Sequence, residues 1–144
     1  MEVIAIGEAL GGKKVLGRSV DDPEALVVLI RKGLPADSII ALSEHLGLAV
    51  SLLSRSLGIP PRTVSRRLGR RSNLTAAESD RTVRLARVYA NAVASIGNRE
   101  KAIAWLKTSN RALGGARPLD HLDTDIGARA VEDVLGRIAH GVHS

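Results

Sequence analysis

From Asp22 onward the chain reads as seven apolar stripes at helical spacing, six of them closed by a glycine. Stripes of that period, opened by caps or prolines and stopped by glycines, imply an all-α fold. The first opens at Asp22-Pro23, an acidic N-cap with proline in the first turn, runs through Ala25, Leu26, Leu29 and Ile30, and stops at Gly33. Pro35 opens a second, carrying Ile39, Ile40, Leu42 and Leu46 up to Gly47. A third covers about residues 49–57 and ends at Gly58, and a fourth runs from Pro60-Pro61 to about Gly69. Thr75-Ala-Ala-Glu78 is a capping box that starts the longest, in which Val83, Ala86, Tyr89, Ala90, Val93 and Ile96 keep helical spacing to Gly97. At 1.5 Å per residue this helix spans roughly 33 Å, enough to bridge two halves of a molecule. A sixth, about residues 99–107, carries Ile103, Trp105 and Leu106; the last, about 125–140, presents Val131, Val134, Leu135 and Ile138 before Gly141. Residues 1–20 have weak periodicity and several glycines, and read as a flexible N-terminal arm or a short, poorly defined start.

The core these stripes build is aliphatic. The chain has no Phe, one Trp and one Tyr, so Leu, Ile, Val and Ala carry the burial, which suits closely packed helices. With no cysteine there is neither a disulfide framework nor a thiolate metal site. The N-terminus has acidic Glu2 and Glu8 and reaches Lys13 and Lys14 too early for a signal peptide, and no run approaches the roughly 20 apolar residues that span a bilayer. These features lead us to expect a soluble, cytoplasmic protein without a membrane partner.

Charge is unevenly placed. Residues 50–90 hold nine arginines against Glu78 and Asp80, so this stretch alone accounts for the net charge of +6. Guanidinium forks bind phosphate and reach guanine edges, which favours a nucleic-acid partner. Within the stretch, Ser51 to Leu68 has the spacing of a helix-turn-helix. Ser54 is the small residue where the helices cross, Gly58 the turn, and Ile59, Val64 and Leu68 the apolar residues that seat the second helix. Pro60 and Pro61 start that helix without wasting a hydrogen bond. With Val64 and Leu68 inside, Arg62, Thr63, Ser65, Arg66 and Arg67 are expected to face the groove, Arg62, Ser65 and Arg66 sharing one side. Arg70 and Arg71 beyond the helix, and Arg55 on the preceding one, are expected to hold phosphates. Such modules usually act in symmetric pairs, so a homodimer on DNA is expected.

In the C-terminal part, Trp105 is a large apolar anchor, Leu113-Gly-Gly a tight connector, and Asp123-Thr124-Asp125 a cap for the last helix, whose negative first turn suits the helix dipole. Gly127 permits close approach of another backbone. The order Trp105-Leu106, Asn110, Leu113-Gly114-Gly115, Pro118-Leu119, Leu122, Gly127, Val131, Leu135, Ile138 and Gly141 resembles the toxin-binding domain of Xre-type antitoxins that accompany RES-domain toxins, the Xre/MbcA/ParS group. The resemblance covers about residues 35–142, helix-turn-helix included. The sequence departs from it at Ser109, where the family often has Pro, and near Ile96, where an aromatic often ends the long helix.

That resemblance implies an antitoxin that covers the active site of an NAD-degrading RES-domain toxin and represses its own operon. Residues and resemblance together divide the chain into three parts: an arm over 1–20, which the resemblance does not reach, a helix-turn-helix domain over 21–74, and a C-terminal dimerisation and toxin-binding domain over 75–144. The resemblance places Trp105, Asn110, Leu113, Gly114, Gly115, Pro118, Leu119 and Leu122 at the toxin-facing surface. Arg137, His140 and His143 are its polar candidates for reaching the NAD cleft, which must accept anionic phosphates.

Enzymatic chemistry finds no support in the sequence. The carboxylates around His121 sit where caps and turns want them, and His45, His140 and His143 form no motif with metal-ligand spacing. Leu113-Gly-Gly-Ala-Arg lacks the Lys-Ser/Thr of a phosphate-binding loop, and no serine sits in a glycine-flanked elbow. No catalytic residue, metal or cofactor is expected. Two other readings stay open on the residues alone: a stand-alone repressor whose C-terminal part only dimerises or senses a ligand, and an interaction protein with a vestigial helix-turn-helix.

Overall fold

The structure, a computed structural model, describes residues 2–141 and is all-α, with no strand among them. Nine α-helices follow in order: α1 (Glu2–Ala9), α2 (Gly12–Leu16), α3 (Pro23–Lys32), α4 (Asp37–Leu46), α5 (Val50–Ser56), α6 (Pro61–Gly69), α7 (Ala76–Ile96), α8 (Arg99–Leu106) and α9 (Asp125–Ala139). Two single 3-10 turns, Arg111–Leu113 and Pro118–His121, lie in the connector before α9.

The helix starts follow from their caps. The Ala25 amide donates to Asp22 Oδ1 at 2.9 Å, and the Lys101 amide to Asn98 Oδ1 at 2.9 Å. At α7 both halves of the capping box are made: the Glu78 amide donates to Thr75 Oγ1 (3.1 Å) and the Thr75 amide to Glu78 Oε1 (2.8 Å). At α9 the cap is Thr124, whose hydroxyl accepts from the Gly127 amide at 3.0 Å.

Helix α7 is the axis of the molecule. It packs against α1 and α3 on the N-terminal side and against α8 and α9 on the C-terminal side. Leu85, Ala86, Val88 and Ala92 are fully buried along it, so the helix is apolar on more than one face.

Residues 2–20 of the expected arm are not an arm. They form α1 and α2, and Ile6, Ala9, Leu10, Leu16 and Val20 are part of the core. One of the glycines that broke the periodicity is a packing contact: a Cβ on Gly7 would come within 2.8 Å of Val20 Cβ. That glycine lets Val20 close over α1, which packs on α7.

Candidate nucleic-acid and partner interfaces

Helices α5 and α6 meet as the spacing of Ser54, Gly58 and Val64 requires. Ser54 is fully buried at the crossing, and its hydroxyl donates to the Val50 carbonyl at 2.7 Å. Gly58 turns the chain at φ 68°, a left-handed conformation that β-carbon sterics disfavour. Leu53, Leu57, Ile59 and Val64 are buried, and Leu68 packs against the same core. Burial of Val64 and Leu68 fixes which side of α6 faces out: Arg62, Ser65 and Arg66 are exposed and Thr63 is partly so.

The nine arginines of residues 50–90 separate into two groups. Arg67, Arg81, Arg84 and Arg87 are spent inside the protein. Arg81 Nη1 donates to the carbonyl of Gly58 in the turn at 2.9 Å. Arg84 pairs with Asp80 at 3.3 Å and lies against the carbonyls of Leu122 and Asp123. Arg87 grips Glu132 of α9 through Nε (3.2 Å) and Nη2 (2.9 Å). Arg55, Arg62, Arg66, Arg70 and Arg71 are exposed and make no salt bridge among the described residues. These five form the outward charge of the helix-turn-helix.

Arg67 departs from expectation. It lies on α6 but is not free for a groove: Nε donates to Glu78 Oε1 at 2.7 Å and Nη2 to Glu78 Oε2 at 3.2 Å. Burial alone would push the Glu78 carboxyl up. The Arg67 hydrogen bonds, the Thr75 amide and the guanidinium charge outweigh it and hold the pKa below its ordinary value. Sequence reasoning had used Glu78 as a cap and missed that it faces Arg67 as well.

In the C-terminal part the connector is a folded loop. Asn110 organises it: its Oδ1 accepts from the Ala112 amide (2.9 Å), its own amide donates to the Ala116 carbonyl (3.0 Å), and its carbonyl accepts from the Gly115 amide (2.9 Å). Arg117 and Asp120 form a bidentate pair across the second 3-10 turn, at 2.9 and 3.0 Å. That pair holds the Asp120 carboxyl below its usual range against a smaller opposing push from burial. Gly127 sits against the His121 carbonyl, where any β-carbon would collide with backbone. This is the close approach its position suggested.

Four residues named for the toxin-facing surface point the other way. Leu113, Pro118, Leu119 and Leu122 are buried, Leu119 and Leu122 almost completely, so in this structure they pack inside the connector. Trp105 is half-buried and packed on the core. Gly114, Gly115, Arg137 and His140 are exposed, whereas His143 lies outside the described residues. One exposed residue was missed. Ile126, in the first turn of α9, is 81% exposed beside an open cavity of about 380 Å³ lined by His121, Asp123 and Ala130. Its signal was present, an apolar residue off the stripe of Ala128, Val131 and Leu135.

Two family models match this chain. Residues 25–87 match the antitoxin Xre-like helix-turn-helix domain, and residues 90–141 match the antitoxin Xre/MbcA/ParS C-terminal toxin-binding domain. The chain is 36% identical over 120 residues to the antitoxin Xre of Yersinia enterocolitica, covering 83% of this chain and 81% of the relative. It is 34% identical over 134 residues to the antitoxin Xre of Photorhabdus laumondii, covering 90% of each.

The chain belongs to the Xre family of antitoxins.

Among solved structures, the Xre antitoxin is similar to a chain of the Mycobacterium tuberculosis MbcT–MbcA toxin–antitoxin complex. The TM-score is 0.57 at 27% identity, over 76% of this chain and 96% of that one. The two family matches meet inside α7, between residues 87 and 90. No single helix among the described residues is long and apolar enough to cross a membrane.

Proposed function

We propose that this Xre antitoxin neutralises a RES-domain, NAD-degrading toxin by covering its active site, and that as a cytoplasmic homodimer it binds the operator of its own operon. The operator half rests on one observation: α6 presents Arg62, Ser65 and Arg66 outward, seated by buried Val64, and neither arginine makes a salt bridge among the described residues. Arginine reads guanine through O6 and N7, so Arg62 and Arg66 are assigned to base edges and Thr63 and Ser65 to their support. Arg55, Arg70 and Arg71 are assigned to phosphates, where they supply affinity and salt dependence.

For the toxin half, the contact surface is assigned to the exposed Gly114-Gly115 turn and the exposed ends of α9, with Ile126 at one and Arg137 and His140 at the other. Asn110, whose hydrogen bonds fold the connector, and half-buried Trp105 are assigned to the same surface. A cation near the end of α9 suits a cleft built for the phosphates of a dinucleotide.

Co-expression tests the toxin half. The product of the adjacent reading frame, expressed alone, should deplete cellular NAD and arrest growth, and this antitoxin should restore both. Intact NAD during the arrest would remove the NAD-degrading partner. Growth arrest unrelieved by the antitoxin would remove the neutralisation itself. For the operator half, Arg62→Ala and Arg66→Ala should each weaken binding to the DNA upstream of the gene by about 1–3 kcal/mol in a gel shift. Unchanged affinity in both would contradict base reading by α6.

A further inference from the structure

Five arginines of the helix-turn-helix look outward and one does not. Arg67 is held by a carboxylate that is itself immobilised. Glu78 is 8% exposed, and Oε1 accepts from both Arg67 Nε and the Thr75 amide while Oε2 accepts from Arg67 Nη2. Glu78 also stands in the first turn of α7, the helix on which α1, α3, α8 and α9 pack. The other supports of α6 are Val64 and Leu68, and apolar contact is non-directional: it resists lifting the helix more than turning it. A planar guanidinium on a fixed carboxylate fixes direction as well as distance. With a helix radius of about 5–6 Å including side chains, a turn of about 20° displaces the outer edge by roughly 2 Å, more than a hydrogen bond tolerates.

We infer that Arg67 is a positioning residue for operator recognition. Through Glu78 it sets the rotation of α6 about its own axis, so that Arg62, Ser65 and Arg66 meet the base edges in one register, and its guanidinium neutralises no phosphate. To reach DNA it would have to abandon a nearly buried carboxylate, leaving that charge with the Thr75 amide but no cation. The inference rests on the operator-binding reading above, and specificity is the property it governs.

The two roles leave different marks on salt dependence. Loss of a phosphate contact lowers the slope of log K against log salt by about one, whereas loss of positioning leaves the slope alone and lowers the ratio of specific to non-specific affinity. The full chain would be titrated with the DNA upstream of its gene and with a random duplex of equal length, at several salt concentrations. Arg67→Lys, Arg67→Gln, Glu78→Gln and the Arg67→Gln/Glu78→Gln pair would be compared with Arg70→Ala. Affinities are normalised to the folded fraction read by circular dichroism.

Each single substitution at 67 or 78 is expected to cut operator affinity about tenfold, leave random-duplex affinity and the salt slope unchanged, and be no worse in combination. Arg70→Ala should lower the slope. Lysine keeps the charge and can hold a phosphate but cannot fork, so Arg67→Lys should fail to rescue. Full operator affinity in Arg67→Lys, or a slope reduced by about one in Arg67→Gln with Glu78→Gln unaffected, would overturn the inference. A wild-type chain that does not prefer its own upstream DNA would instead sink the operator reading itself.

Discussion

At the residue scale, Arg71 is the one non-glycine with a positive φ among the described residues, at 51°. It ends α6, where the Ser72 amide donates to the Arg67 carbonyl at 3.0 Å, the place where glycine is the usual occupant. Holding an arginine there costs about 1 kcal/mol of backbone strain. Arg71→Gly should therefore raise stability by up to about 1 kcal/mol, read by urea unfolding, while weakening operator binding and lowering its salt slope by about one. A variant that is both more stable and equally tight on DNA would remove Arg71 from the phosphate contacts. The same scale shows how far the sequence could be read. Helical spacing sorted Val64 inward and Arg62, Ser65 and Arg66 outward, because that division depends only on one helix. It could not sort Arg67, because its partner lies eleven residues away on another element and had a sufficient local explanation as a cap.

At the scale of elements, starts and stops were legible wherever a cap or a left-handed glycine marks them, as at Asp22, Thr75 and Gly97. Residues 1–20 were not, because Gly7, Gly11, Gly12 and Gly17 look like loss of structure when one of them is a packing contact with Val20. The connector failed in the opposite sense. Its family signature of Leu113, Pro118, Leu119 and Leu122 marks the loop's own interior, and a pattern alone does not say which side of a backbone faces a partner. Gly127 carries the corresponding prediction. In Gly127→Ala the new methyl meets the His121 carbonyl, so α9 must shift or unfold from its first turn, at a cost of about 1–3 kcal/mol. Rescue of growth in the co-expression assay should fall, while operator affinity is kept. Full rescue would mean that the seat of α9 on the connector does not define the toxin-facing surface.

For the whole molecule, α7 joins what the family matches divide. Near its start Glu78 holds α6, and nine residues later Arg87 holds Glu132 of α9. Arg99 of α8 and Lys107 just after it reach back to the carbonyls of His45 and Gly47 at the end of α4, where cations suit the helix dipole. The helix-turn-helix and the C-terminal domain should therefore unfold as one unit. Trp105 is the only tryptophan, so its fluorescence reports the C-terminal side alone, while far-ultraviolet circular dichroism reports all helices. The two urea midpoints should coincide, and Glu78→Gln, on the N-terminal side, should lower both together by the equivalent of roughly 2 kcal/mol. Acid gives the sign of the effect. Because the folded state holds the Glu78 carboxyl below its ordinary value of 4.5, its contribution is complete above that value and is lost as pH falls through the lower folded one. The gap between wild type and Glu78→Gln should thus be full at pH 7 and shrink below about pH 4.5. A fluorescence midpoint that ignores Glu78→Gln would mean that α7 carries two independent domains, and a gap that widens in acid would mean that the ion pair is not what holds α6 to it.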